Sequence, residues 1–113
     1  MGVVCGTSCL TAVDLEAADA AARDVWVGVV ASGNFSLTAA MASAAALLAA
    51  RHLPQWEVID YASATKPDVP SGTARELAER LGQVRAPGLG RPIDEIHGPR
   101  EARGASIGGA QVH

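Results

Sequence analysis

The run Lys66-Pro67-Asp68-Val69-Pro70-Ser71-Gly72-Thr73-Ala74 concentrates what a small-anion site needs. Two prolines stiffen the approach, and Pro70 fixes the backbone as it enters a helix. Ser71, Gly72 and Thr73 then place backbone N–H groups, flanked by hydroxyls, at the helix N-terminus, where the dipole favours a carboxylate or phosphate. Gly72 removes a side chain that would block close approach. Lys66, five residues before Ser71, stands where it can add a cation or a proton donor. The same spacing also suits a plain helix cap with Lys66 as a solvated loop residue, because Ser and Thr are common caps.

Two further turns point the same way. Gly6-Thr7-Ser8 follows the apolar run Gly2-Val3-Val4-Cys5-Gly6, and Ala31-Ser32-Gly33-Asn34-Phe35-Ser36 follows Val25-Trp26-Val27-Gly28-Val29-Val30-Ala31. Both runs read as strands, the second apolar enough to be a parallel strand covered on both faces. Turns at the carboxyl ends of such strands are where open α/β sheets bind ligands. Three ligand-compatible turns in one short chain exceed what capping requires.

The elements that must position these turns are legible from pattern and punctuation. Thr11 with Asp14 makes a variant capping box opening a helix that runs to about Arg23. Ser36 opens a second helix that reaches about His52, ahead of Pro54. Trp56 to Tyr61 alternates and is rich in β-formers, which predicts a strand extending as far as Ser63. A third helix is expected from Ala74 to about Leu81, with Thr73 and Glu76 in capping-box register. Residues 82–103 carry Gly, Pro and scattered charge and read as an irregular connection. Residues 105–113 return to a strand pattern that stops in mid-course.

Together these segments resemble the dihydrodipicolinate reductase family. The Gly-Thr-Thr-Gly turn of that family is matched by Gly6-Thr7-Ser8, with Cys9 in the last place. Its Ala-x-Asn-Phe-Ser segment is matched by Gly33-Asn34-Phe35-Ser36 after Ala31-Ser32. Its Lys-x-Asp-x-Pro-Ser-Gly-Thr-Ala motif is present in every fixed residue from Lys66 to Ala74.

The resemblance implies an α/β to α+β architecture. Residues 1–34 would be the end of a Rossmann-like dinucleotide-binding domain. Residues 35–113 would be a mixed-sheet substrate-binding and oligomerisation domain, incomplete at its C-terminal end. It implies reduction of a cyclic dihydrodipicolinate-type precursor with NADH or NADPH, in lysine and diaminopimelate biosynthesis. Gly6, Thr7, Ala31, Asn34 and Phe35 would line the nicotinamide. Lys66 would donate the proton, and Ser71, Gly72 and Thr73 would hold a substrate carboxylate. A homotetramer in the cytoplasm is the implied assembly and location.

Departures from the family pattern are equally specific. Ala62 and Ser63 stand where the family's signature places paired histidines. The glycine-rich dinucleotide fingerprint G-x-x-G-x-x-G and the closing strands of the sheet are not found, so the chain is expected to be the middle of a longer protein that, alone, does not turn over. Reduction of a different small carboxylate, or a binding role without catalysis, stays open as an alternative.

Composition narrows the field further. A net charge of −3, with the arginines interrupted by acids, argues against a nucleic-acid surface. No apolar run approaches the ~18 residues of a membrane span, and no basic segment precedes an apolar one as in a signal peptide. Cys5 and Cys9 lack neighbouring ligands for a metal and read as two reduced thiols. Aromatics make up only 4% of the chain, so Ala, Val and Leu must fill the core. His52, His97, Tyr61, Asp60, Arg100 and Arg103 read as helix-end, loop, core or solvated residues rather than catalytic ones.

Overall fold

The computed structural model describes residues 1–8, 10–88 and 90–113. Two strands near the amino terminus, β1 (Gly2–Cys5) and β2 (Gly28–Ala31), pair in parallel with Gly2 opposite Gly28 and Cys5 opposite Ala31. Helix α1 (Ala12–Asp24) makes the crossover and packs on β2. It begins at the expected box: Thr11 Oγ1 accepts the Asp14 N–H at 3.3 Å, and Asp14 Oδ2 accepts the Thr11 N–H at 2.8 Å. The Thr11 hydroxyl, and after it the Thr11 N–H, hold the Asp14 carboxyl below its ordinary value.

The exit from α1 shortens the next strand, which starts at Gly28 and not at Val25. Val25 caps the helix, Trp26 takes φ 53° and is 95% exposed, and the Val27 N–H returns to the Ala22 carbonyl at 3.0 Å. Reversing the chain between a helix and a strand parallel to β1 uses up these three residues, although their side chains favour strands. Nor are both faces of the pair covered, since Val4 and Val30 remain exposed.

The rest of the chain builds a second sheet. Helix α2 (Leu37–Ala50) is capped by Ser36, whose Oγ accepts the Ala39 N–H at 3.3 Å; it ends two residues short of His52. Strand β3 (Glu57–Val58), helix α3 (Gly72–Val84) and the strands β4 (Ala105–Ile107) and β5 (Ala110–Val112) follow. The sheet order is β3-β5-β4, with β5 parallel to β3 and antiparallel to β4.

Several expectations need correction here. Residues 105–113 are a hairpin, not one strand: Gly108 and Gly109 have φ of 57° and 85°, the left-handed pair that a two-residue hairpin turn requires. β5 is therefore the middle strand of the sheet. β3 spans only Glu57–Val58; beyond it the Asp60 N–H bonds the His113 carbonyl at 2.8 Å while its side chain reaches α3, and Tyr61, expected in the core, is 94% exposed. α3 starts at Gly72 with Ser71 as its cap, so Thr73 and Glu76 form no capping box; Glu76 pairs instead with Arg80 at 3.7 Å. The irregular connection contains the last turn of α3 and two 3₁₀ turns, Ile93–Glu95 and Arg100–Arg103.

The core lies between α2, α3 and this sheet. Ala50, Val58, Ala74, Ala78, Leu81 and Val112 form it, with Ala46, Leu47, Trp56, Leu77 and Ile107 at its margin. Ala74, Ala78 and Leu81 recur at the i, i+4, i+7 spacing of one helix face. Small residues here bring backbones into contact: a Cβ at Gly82 would lie 2.2 Å from the Gly108 carbonyl oxygen. Each buried methyl contributes only about 0.8 kcal/mol, so close backbone packing replaces bulky side chains in holding α3 to the hairpin.

Candidate functional site

Three turns meet at the start of α3. A Cβ at Gly72 would lie 2.1 Å from the Ser8 carbonyl oxygen and 2.7 Å from the Ser8 Cβ. A Cβ at Gly33 would lie 3.4 Å from the Ser8 Cα and 3.7 Å from the Thr7 carbonyl oxygen. The turn after β1, the turn after β2 and the N-terminus of α3 are thus in mutual contact, although 64 residues separate Ser8 from Gly72 (72 − 8). A cleft of about 370 Å³ opens between them, lined by Thr7, Ser8, Ala31, Ser32, Gly33, Gly72 and Arg75 and also by Glu76, Glu79 and Arg80.

The first turn of α3 is fixed by this chain's own carboxylates. Asp60 accepts the Ser71 N–H on Oδ2 at 2.7 Å and the Ser71 hydroxyl on Oδ1 at 3.1 Å, and the Ser71 Oγ in turn accepts the Ala74 N–H at 3.3 Å. Asp68 Oδ2 accepts the Gly72 N–H at 3.1 Å. That bond, then its own N–H and the nearby charges of Lys66 and Arg75, hold the Asp68 carboxyl below its ordinary value against desolvation. The Val69–Pro70 bond on this approach is cis.

Ser71 and Gly72 are buried, with their N–H groups directed at these carboxylates, while Thr73 is exposed. Thr73 borders a smaller groove with Ser32, Asn34 and Ser43. Among the described residues, no group bonds the Thr73 hydroxyl. Lys66 is exposed on a short turn whose N–H returns to the Ser63 carbonyl at 3.0 Å, outside the lining of the cleft.

The remaining residues singled out from the sequence fall around the β2 turn. The Phe35 ring lies against Gly6, 3.4 Å from where a Cβ would stand. Asn34 Oδ1 accepts the Ser36 N–H at 2.8 Å, and the Ser32 hydroxyl donates to the Asn34 carbonyl at 2.9 Å. The structure therefore brings Thr7, Ala31 and Gly72 to one cleft and pairs Gly6 with Phe35. Asn34 and Thr73 share the neighbouring groove. Cys9 lies outside the described residues, and Cys5 is a free thiol on β1. Among the described residues, no cluster of three or more metal-ligating side chains occurs, and no helix is long and apolar enough to cross a membrane.

A family profile described as "Dihydrodipicolinate reductase, C-terminus" matches residues 33–113. The chain belongs to the dihydrodipicolinate reductase family. It is 34% identical over 110 residues to the 4-hydroxy-tetrahydrodipicolinate reductase of Streptococcus gordonii, an alignment covering 97% of this chain and 43% of that protein. It is 38% identical over 87 residues to the enzyme of the same name from Clavibacter michiganensis subsp. michiganensis, covering 77% of this chain and 31% of the relative. Among solved structures, the dipicolinate-bound dihydrodipicolinate reductase of Paenisporosarcina sp. TG-14 superposes with a TM-score of 0.71 at 32% identity, covering all of this chain and 43% of that one. The chain thus spans less than half the length of these relatives.

Arg75 has no site role in the sequence reading, and Ser8, Asp60 and Asp68 have none as individual residues, although Ser8 and Asp68 lie within the turns it singles out. Asp60 looked like a solvated strand-end acid, and its distance from Ser71, eleven residues on, hides the contact. Asp68, four residues before Gly72 inside the lysine motif, was the one legible signal, because an acid just ahead of a helix start is suited to its free N–H groups.

Proposed function

We propose that this chain forms the substrate-receiving part of an NADH- or NADPH-dependent 4-hydroxy-tetrahydrodipicolinate reductase acting in lysine and diaminopimelate biosynthesis. The observation that carries the reading is the seating of Gly72 on Ser8 and of Gly33 on Thr7 and Ser8. It joins the turns of a parallel strand pair to the lysine-motif helix, as a hydride donor and the anion site that holds the acceptor must be joined. Residues 1–34 would end the dinucleotide-binding domain, and residues 35–113 would form the substrate and oligomerisation domain of a cytoplasmic homotetramer.

The cofactor end of this site fits a flat ring. Gly6 has no side chain and Phe35 lies beside it, at the carboxyl end of a strand paired in parallel. Gly6, Thr7, Ala31, Asn34 and Phe35 would line the nicotinamide. When bound, the reduced nicotinamide supplies the hydride for the unsaturated ring. The chain's own residues do the rest: Thr73, with Ser71 and Gly72 shaping the turn, orients a substrate carboxylate at the positive end of α3. Lys66 delivers the proton from Nζ, general-acid assistance being worth about 10²–10⁴-fold when a donor is well placed. Ala62 and Ser63 flank this lysine with no titratable group, which favours, as a second reading, a related small cyclic carboxylate as substrate.

A graft tests the proposal. This chain would replace the matching segment of the Paenisporosarcina reductase, and the loss of nicotinamide absorbance would be followed with the cyclic precursor. Turnover that disappears in Lys66→Ala is expected. A folded graft that binds NAD(P)H yet turns nothing over would overturn the reductase reading in favour of the changed substrate.

A further inference from the structure

The second sheet has a cavity on the face turned away from the core. Val58 and Val112 pack into the core, so their strand neighbours Glu57 and Gln111, partners in the ladder between β3 and β5, point to the other side. The cavity there, of about 400 Å³, has Trp56, Glu57 and Gln111 in its lining, together with Arg91, Ile93 and Arg103 from the connection between α3 and β4. Gln111 is 2% exposed, and among the described residues neither its Nε2 nor its Oε1 has a hydrogen-bond partner. The Trp56 Nε1 is also buried and unpaired. Both ladder neighbours of Gln111 carry groups able to bond an amide. The Glu57 carboxylate, however, is engaged by His113 Nε2 at 3.2 Å and Arg103 Nη1 at 3.7 Å, and Ser106 on β4 is exposed. An unpaired amide costs free energy to bury, and folded proteins leave few such groups without a partner.

We infer that this cavity is a binding site for a small planar molecule whose edge offers a donor and an acceptor side by side, the edge shared by primary carboxamides and adenine. A glutamine amide presents N–H groups and a carbonyl oxygen in one plane. Its full complement is therefore an edge with an acceptor facing Nε2 and a donor facing Oε1. A carboxylate or phosphate offers acceptors only and leaves Oε1 unpaired. The Trp56 indole N–H is a further unpaired donor among the lining residues, and the volume falls within the ~300–1,000 Å³ of small-molecule sites. Both amide atoms of Gln111 are shielded from solvent, so an occupant engages them by turning the side chain toward the cavity. Among the described residues the cavity shares no lining residue with the cleft at Gly72, and the inference is independent of the reductase reading.

Titration of the ¹⁵N-labelled chain with benzamide, adenine and benzoate, followed on the Trp56 indole and Gln111 side-chain amide signals, tests this. Benzamide or adenine is expected to shift both signals along one saturation curve, while the indole of Trp26, 95% exposed, stays fixed. Saturation by benzamide alone identifies the occupant as a carboxamide, and saturation by adenine alone as a nucleobase; saturation by both shows that the edge itself is read. Benzoate, which cannot donate, should bind at least about tenfold more weakly. Gln111→Met keeps the length of the side chain without the amide. It is expected to weaken binding by about tenfold or more while its urea midpoint stays level or rises, because two unpaired buried atoms are removed. Gln111→Leu serves if that variant does not fold. Absence of any shift up to about 10 mM of either ligand leaves water alone in the cavity and overturns the inference. Binding that survives the loss of the amide also overturns it, as does a lower midpoint, which would give the amide a partner within the chain.

Discussion

Gly72→Ala sets two physical arguments against each other. In an open helix position the substitution would stabilise the chain, alanine being better than glycine by about 1 kcal/mol. Here the new methyl would sit 2.1 Å from the Ser8 carbonyl oxygen, 2.7 Å from the Ser8 Cβ and 2.9 Å from the Ser8 carbonyl carbon. Ordinary contact needs more than 3 Å, and two of the three atoms are backbone, so the β1 turn must move by about an ångström instead of rotating a side chain away. Overpacking of this kind costs about 1–3 kcal/mol, and the backbone character of the clash places it at the upper end. The net expectation is destabilisation by about 1–2 kcal/mol, read as a lower midpoint in urea at unchanged slope. Loss of dipicolinate binding should accompany it, because the same movement opens the cleft. A variant as stable as the unaltered chain, or more so, would refute the packing between these turns; with binding alone abolished, Gly72 would serve ligand approach only.

Asp60→Ala removes the acceptor of two bonds to Ser71 and should cost about 1.5–3 kcal/mol by chemical denaturation, with Asp60→Asn costing less. For Asp68 the sign follows from its lowered value: stability from this carboxylate is fully present above about pH 4 and is lost as the pH falls through the lower folded value. Asp68→Asn should therefore flatten the stability profile below about pH 4 while leaving its shape near neutrality unchanged, as followed by thermal melts across pH. Lys66→Ala, at an exposed position, should change stability by less than about 0.5 kcal/mol while depressing turnover in the graft; equal losses of both would assign Lys66 a structural role.

What could be read from the sequence was local. The capping box at Thr11, the cap at Ser36, the helices that follow them and the breaks at Gly33 and Pro54 depend on neighbours within four residues, and the structure has them where the pattern puts them. Failures came where a distant partner outbid propensity. Trp56 to Tyr61 has the side chains of a six-residue strand, yet the strand proper is Glu57–Val58, and Asp60, whose N–H still reaches the His113 carbonyl at 2.8 Å, turns its side chain to clamp Ser71. The strand-like pattern of 105–113 concealed a hairpin because only the backbone angles of Gly108 and Gly109 reveal the reversal. The same limit applies to the candidate site: Gly72 reads in the sequence as room for a ligand, whereas the structure fills that room with Ser8, and Arg75 has no motif to announce it.

The central claim is that the β1 turn, the β2 turn and the start of α3 form one anion-binding site. Titrating dipicolinate into the ¹⁵N-labelled chain and following backbone amides tests it most directly. The account predicts that Thr7, Gly33, Thr73 and Arg75 shift together along one saturation curve while Ala20 to Asp24 at the far end of α1 stay fixed. Shifts confined to one of the three turns, or centred on the sheet around Glu57 and Gln111, would contradict it.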